Sequence, residues 1–91
     1  MAFLLAHFEV PDYDEWKQFF DNDPAGRKES AEGHRLFQAV DDPNNVYIGV
    51  EFATADEAKS FRERLLSSGA LDRVTVKMEP TVTEVVEETR Y

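Results

Sequence analysis

The stretch from Glu9 to Phe20 has the sequence Glu-Val-Pro-Asp-Tyr-Asp-Glu-Trp-Lys-Gln-Phe-Phe and joins two predicted elements. Pro11 has no backbone N–H to donate to a strand ladder, so it ends the apolar strand before it. Asp12 is a favourable helix N-cap, and Glu15 three residues later completes a capping-box pattern. The helix that follows is amphipathic, and one arc of it carries the aromatic side chains Tyr13, Trp16 and Phe20. The stretch therefore predicts a strand that turns directly into a helix docked on a sheet.

Strands and helices alternate along the whole chain. Besides the first strand and helix, the patterns predict a helical segment at 24–32, a strand at 34–41, a hairpin loop at 42–45, a strand at 46–52, a helix from Thr54 to about Ser67, and a strand at 73–78 that Pro80 breaks. This order is that of a ferredoxin-like α+β fold, βαββαβ, with a four-stranded antiparallel sheet and two helices on one face. We expect residues 1–91 to form a single domain and residues 80–91 to form an extended arm.

The composition excludes several classes of function. The 19 acidic and 10 basic residues give a net charge of −9, which opposes binding to nucleic acid and to anionic membranes. The chain has no cysteine, so it has neither disulfides nor thiolate metal sites. No apolar run approaches the roughly 18 residues of a membrane helix, and we interpret the apolar N-terminal run as a strand. We therefore expect a cytoplasmic protein.

The first strand has large apolar side chains on both of its faces. Phe3 and Leu5 lie on one face, and the other face carries Leu4, Phe8 and Val10. Leaving either set in water forfeits about 1.5–3 kcal/mol per large side chain. Because the helices cover only one face of the sheet, a second copy packed sheet to sheet is the simplest cover for the other. The sequence therefore predicts a homodimer.

Several motifs resemble one branch of the dimeric α/β-barrel superfamily, a branch related to antibiotic biosynthesis monooxygenases and polyketide cyclases. The segment 10–17 resembles its Val-x-Asp-Tyr-Asp-x-Trp-Lys pattern, and the residues Phe20, Asp21, Arg27, Asp41–Val46, Glu51, Phe52, Ala58 and Phe61 match it too. The resemblance covers nearly the whole chain. One departure is that branch members often carry a histidine where Phe8 stands here; His7 lies one position away, on the opposite sheet face unless a bulge intervenes.

The resemblance implies a reaction class. It suggests a cofactor-independent monooxygenase, or a cyclase or isomerase, acting on a small hydrophobic or aromatic molecule without metal or other cofactor. Such chemistry requires a cavity that excludes water, a base, and hydrogen-bond donors that stabilise a developing oxyanion. The superfamily also includes proteins with no known activity. Non-catalytic binding of a small molecule, or a dimeric interaction module, is therefore the alternative.

Candidate site residues follow from side-chain chemistry and strand parity. His7 is the predicted base and Glu9, two residues on and facing the same side, its predicted orienting partner. The alternative is a histidine hydrogen-bonded within the sheet. The pair supplies only two ligands, so no metal site is predicted. The remaining predicted substrate-binding residues are Trp16, Tyr47, Glu51 and Arg62.

Each of these substrate-binding candidates also has a structural interpretation. Trp16 either lines a cavity or simply packs in the core. Tyr47 and Glu51 share one strand face and line either a cavity or the dimer seam. Arg62, on the apolar side of its helix, either extends past the sheet edge or closes a pocket. Arg27 either binds an anionic substrate or pairs with a nearby carboxylate.

Overall fold

A computed structural model describes residues 1–91 as four strands, three α-helices and a short 3-10 turn. The elements are β1 (Ala2–Glu9), α1 (Tyr13–Asp21), α2 (Arg27–Ser30), β2 (Gly33–Ala39), β3 (Asp42–Phe52), α3 (Ala55–Ser67), the 3-10 turn (Ala70–Arg73) and β4 (Thr75–Glu84). The strands form one antiparallel sheet in the order β2-β3-β1-β4. The predicted α+β, ferredoxin-like fold is confirmed.

The core lies between one face of the sheet and the helices. Alternate residues of the two central strands are buried there: Ala2, Leu4, Ala6 and Phe8 of β1, and Val46, Ile48, Val50 and Phe52 of β3. The helices cover them with Trp16 and Phe20 of α1 and Ala58 and Phe61 of α3. Residues of the opposite parity lie on the other face, which no helix of this chain covers and which we call the open face. The C-terminal segment, with Val85 and Glu87–Tyr91, lies beside one end of it, near Phe3 and Glu51.

Both long helices begin at the predicted N-caps. The Asp12 carboxylate accepts a hydrogen bond from the backbone N–H of Glu15 at 3.0 Å. The Thr54 hydroxyl accepts one from the N–H of Glu57 at 3.2 Å. Each bond satisfies one of the N–H groups that a helix start leaves without a partner, which is why the sequence marks these boundaries well.

The predicted hairpin loop at 42–45 is wrong. The chain turns at residues 40–41, and β3 already begins at Asp42, opposite Ala39. The carboxylate of Asp42 accepts bonds from the N–H of Asn44 at 3.1 Å and from the side-chain amide of Asn45 at 2.7 Å. These turn-forming residues therefore bond to one another along the end of a strand, beside a register shift, instead of forming the loop itself.

Pro80 does not break the last strand, contrary to the prediction. β4 is an edge strand, and the register shifts between the pairs Leu5–Thr81 and His7–Met78, so Pro80 falls in a bulge. A missing N–H is tolerated at such a position. Residues 80–84 belong to this chain's own sheet, and only residues 85–91 remain for the predicted arm.

The helical segment predicted at 24–32 is shorter in the structure. α2 spans only Arg27–Ser30, and the side chain of Asp23 binds its first two N–H groups, those of Arg27 at 2.6 Å and Lys28 at 3.0 Å. Asp23 has a φ of 57°, the only positive φ among the non-glycine residues. Asp tolerates this left-handed conformation better than most residues because its short side chain can bond locally.

Replacing Asp23 tests this arrangement. Asp23→Ala removes both side-chain bonds and leaves an alanine in the left-handed region, so we expect a loss of about 1–3 kcal/mol in the free energy of unfolding. Asp23→Asn keeps an acceptor and the tolerance of positive φ, and we expect about half that loss or less. Urea unfolding measures both variants. Equal stability of the two variants would contradict the proposed capping role.

Candidate functional site

The sheet divides the predicted site residues between its two faces. Trp16 lies on the helix side, buried in the core. The open face carries the side chains of alternate residues of β1 and β3, among them His7, Glu9, Tyr47 and Glu51. Arg62 lies at the sheet edge, where its Nε donates to the carbonyl of Pro80 at 2.6 Å. The structure thus does not bring Trp16 and the predicted base His7 together.

A cavity of about 70 Å³ lies between α1, α3 and the sheet. Of the 17 residues that line it, 14 are hydrophobic. The inner wall is buried and includes Leu4, Ala6, Phe8, Trp16 and Val50. The outer wall is half-buried and includes Phe19, Leu65, Leu71 and Val74. The cavity is therefore apolar, and one side of it is formed by residues that also face solvent.

Arg27 and Asp23 are the charged residues of the cavity wall. Arg27 is only 5% exposed, and its guanidinium carbon lies 3.7 Å from the centroid of the Phe20 ring. Its Nη1 donates to the carbonyl of Phe20 at 3.2 Å and lies 3.7 Å from Asp23 Oδ1. Burial lowers the pKa of Arg27, and the nearby Asp23 and Asp21 oppose that shift. An arginine remains cationic at neutral pH, so the wall carries a buried positive charge.

His34 lies on the helix side of the sheet, where β2 places it opposite Val50. Its ring packs edge-on against Phe20 with centroids 5.1 Å apart and an angle of 77° between the planes. His34 is exposed as a whole, but its packing removes part of the ring from water. This desolvation lowers the pKa of His34, and the positive charge of Arg27 lowers it further. The imidazole is therefore neutral at pH 7. Strand parity placed His34 on this face, but the sequence carried no signal that α1 and α2 would bring Phe20 and Arg27 beside it.

A second polar cluster lies on the open face around His7. The ring of His7 stacks on that of Tyr47, with centroids 4.0 Å apart and an angle of 15° between the planes. Its Nε2 lies 2.8 Å from Asn45 Oδ1, and the amide of Asn45 donates to Asp42 at 2.7 Å. Because the Asn45 oxygen is an acceptor, this network assigns the proton of neutral His7 to Nε2 and leaves Nδ1 as an acceptor.

Glu9 makes no hydrogen bond to His7; Asn45 holds the ring instead. The strand register explains this, since it pairs Glu9 with Asn45 and His7 with Tyr47. The residue of β3 that lies opposite each residue of β1 depends on where the β2–β3 hairpin turns. That turn is at residues 40–41, outside the predicted loop at 42–45. Glu51 is half-buried on the same face and makes no side-chain hydrogen bond within the chain. The catalytic and binding roles of these residues stay predictions.

Large apolar side chains on the open face are partly exposed. Phe37 is 54% exposed and its cross-strand partner Tyr47 is 42% exposed. Leu5 and Met78 are exposed to a similar degree. No group of three or more His, Asp and Glu side chains is arranged to hold a metal ion, on this face or elsewhere in the chain. None of the helices combines the length and apolar character needed to span a bilayer.

Solved structures share this fold. One is a protein from Nitrosomonas europaea provisionally named an antibiotic biosynthesis monooxygenase, with 16% identity, a TM-score of 0.59, and coverage of 96% of this chain and 100% of that one. Another is a dimeric ferredoxin-like protein from an uncultured marine organism, with 15% identity, a TM-score of 0.60 and full coverage of both chains. No protein-family model and no curated protein matches the chain. The likeness confirms the fold that the sequence motifs implied.

The lowered pKa of His34 predicts a pH dependence of stability. The unfolded chain binds a proton at His34 near its ordinary pKa of 6.5, whereas the folded chain binds it only at lower pH. Between these pH values the unfolded state holds more protons, so stability decreases as the pH falls below about 6.5. His34→Gln should remove this part of the decrease, as measured by melting temperature between pH 7.5 and 5.

The control is His7→Gln, which changes the other of the two histidines and leaves the His34 contribution in place. The part of the pH dependence that His34→Gln removes should still be present in His7→Gln. A His34→Gln curve parallel to the wild-type curve would contradict the assignment.

Proposed function

We propose that the protein is a homodimer whose subunits each bind a small apolar or aromatic molecule in the cavity between the helices and the sheet. The apolar cavity carries this proposal. Protein interiors are close-packed, with few voids larger than a water molecule, whereas about 10–15 Å³ suffices for a water. The cavity of about 70 Å³ offers several times that volume, and its apolar wall favours an apolar guest over water.

The size of the cavity limits its occupant. It is well below the roughly 300–1,000 Å³ of sites for drug-sized ligands, so the guest is a small molecule or a single ring. The outer wall can widen for a ring, because half-buried side chains such as Phe19 and Leu71 change rotamer more readily than the close-packed inner wall. The proposed substrate class is therefore small and hydrophobic.

The proposed reaction is that of a cofactor-independent monooxygenase, or of a cyclase or isomerase. The sequence resemblance supports it, as does the name of the Nitrosomonas europaea protein. A base acting on a molecule in the cavity must come from the helix side; His34 is the histidine on that side, but it packs against the cavity-lining Phe20 and does not itself line the cavity. Non-catalytic binding is the alternative, and it is favoured by the otherwise apolar wall, on which Asp23 is occupied in capping α2.

The open face supports the proposed homodimer. Phe37, Tyr47, Leu5 and Met78 form an apolar patch on the face of the sheet that no helix covers. A second copy covers the face by a self-complementary contact, as a two-fold axis requires. The structural neighbour described as dimeric, which matches this chain over its full length, supports the same assembly.

Filling the cavity tests the binding proposal. Ala6 lies on the cavity wall, whereas Ala2 lies on the same strand face but does not line the cavity. Ala6→Leu should occupy the free volume and change stability by less than about 1 kcal/mol, while Ala2→Leu should cost about 1–3 kcal/mol by overpacking. In the wild type we expect benzyl alcohol, a neutral ring-sized probe, to produce a saturable NMR shift of the indole N–H of Trp16, the single tryptophan.

Ala6→Leu should abolish that saturation, and Ala2→Leu should retain it under conditions in which both variants are folded. Absence of saturable binding in the wild type at probe concentrations up to about 10 mM would overturn the binding proposal. Equal binding by Ala6→Leu would place the guest elsewhere.

A charge on the open face tests the dimer. We expect the wild type to sediment with twice the chain mass at micromolar concentration. Phe37→Lys places an ammonium in the proposed interface and should weaken the dimer at least about tenfold, since unpaired charges are costly to desolvate there. Val40→Lys is the matched control, because Val40 is 98% exposed at the hairpin turn. A monomeric wild type, or equal association of the two variants, would count against the interface.

A further inference from the structure

Arg27 brings a positive charge to the wall of a cavity that is otherwise apolar. Burying a guanidinium is costly unless its charge and its N–H groups find partners. The chain supplies one face of Phe20, the carbonyl of Phe20 and the distant edge of the Asp23 carboxylate. Of the five N–H groups of an arginine, the chain therefore provides a hydrogen-bond acceptor only for the Nη1 group.

The carboxylate of Asp23 does not neutralise Arg27 by a direct hydrogen bond. Its Oδ1 accepts from the backbone N–H of Arg27 and its Oδ2 from that of Lys28. The distance of 3.7 Å from Oδ1 to Nη1 is beyond hydrogen-bond range. The Nε and Nη2 groups of Arg27 have no acceptor in the chain. Every side-chain polar atom that is fully buried in this chain has a hydrogen-bond partner. Nε and Nη2 of Arg27 have none, so these two nitrogens are not fully buried, and a small molecule can contact them.

We propose that Arg27 recognises an anionic group on the molecule in the cavity, and that this molecule is a small apolar or aromatic compound bearing a carboxylate or a similar planar oxyanion. The guanidinium presents parallel N–H groups in a rigid fork that matches the two oxygens of a carboxylate. Phe20 fixes the plane of this fork by lying against it. The apolar body of the guest then occupies the space beside Leu4, Phe8 and Trp16.

The local charge around the cavity favours an anion in spite of the net charge of −9. Arg27, Lys17 and Lys28 all act to lower the pKa of His34, and Asp21 is the one carboxylate that acts in the opposite direction. Lys17 is itself paired with Asp21 at 2.7 Å. Asp23 on the cavity wall is the second carboxylate, so Lys17, Arg27 and Lys28 against Asp21 and Asp23 leave a small local excess of positive charge in this corner of an acidic protein.

If Arg27 only stabilised the fold, its replacement would not change which guest the cavity prefers. Arg64 is the matched control for such a structural role. Arg64 braces the same segment, since its Nε donates to the carbonyl of Ala25 and its Nη2 to the hydroxyl of Ser30. It does not line the cavity. Loss of either arginine should loosen the 23–30 segment, but only loss of Arg27 should remove a preference for an anionic guest.

The experiment compares benzoate, benzyl alcohol and benzylamine, which share a ring and differ in charge at pH 7. Their affinities are measured by NMR titration of the indole N–H of Trp16 in the wild type, Arg27→Gln, Arg27→Lys and Arg64→Gln. We expect the wild type to bind benzoate about tenfold more tightly than benzyl alcohol, and benzylamine least tightly. Arg27→Gln should abolish the preference, so that benzoate binds no more tightly than benzyl alcohol. Arg64→Gln should keep the wild-type order.

The inference rests on the proposed cavity function, and the three probes separate the two. Saturable binding of benzyl alcohol without preference for benzoate overturns the anion site and leaves the cavity proposal standing. Binding of none of the probes overturns both. If Arg27→Gln does not fold, Arg27→Lys decides, because it keeps the charge and loses the fork. It should then bind benzoate more weakly than the wild type but still more tightly than benzylamine, and an unchanged benzoate affinity would overturn the role of the fork.

Discussion

β1 lies between β3 and β4 and carries apolar side chains on both faces, so burial of either face of the sheet stabilises the fold. The positions of the two long helices follow from the burial of one of these faces. α1 and α3 cover the even-numbered residues, and their N-caps at Asp12 and Thr54 start each helix at the point where its apolar arc meets the sheet. A slip of one residue in β1 would exchange the two sets of side chains. The odd-numbered residues face outward on the open face, which is the surface of the proposed dimer contact.

The cavity arises from the sizes of the side chains under α1. Ala6, Ala25 and Ala70 contribute little volume where they meet the large rings of Trp16 and Phe20. Arg27 lies against the ring of Phe20, and its bond to the Phe20 carbonyl ties the end of α1 to the start of α2. Collapse of the helix onto the alanines would have to break this tie. The hydrogen bond between Arg27 and the Phe20 carbonyl and the packing of the Trp16 and Phe20 rings thus keep the cavity from collapsing.

The sequence predicted those features that depend on local patterns. Strand parity and capping residues identified the core face and both long helices, because each signal lies within a few residues. The partner of His7 could not be predicted, since its pairing with Asn45 depends on a hairpin that turns at 40–41. The position of Arg27 in the cavity wall depends on the positive φ of Asp23. Aspartate tolerates this conformation, but its presence in a sequence does not predict it. Register and loop conformation are tertiary properties, and the site is built from both.

The two faces of β1 separate the proposed ligand site from the proposed dimer contact. Even-numbered residues such as Leu4 and Ala6 line the cavity, and odd-numbered residues such as Leu5 and His7 lie on the open face. The sheet between them is one close-packed layer. A side chain on one face can shift the sheet but cannot contact a molecule bound on the other face. His7 can therefore act in the cavity only indirectly. Its bond to Asn45 instead satisfies a polar group that a covering second copy would cut off from water, where an unpaired donor is costly. The histidine on β1 is thus suited to a polar position within the proposed interface, whereas the histidine on β2 packs against Phe20 on the cavity side of the sheet.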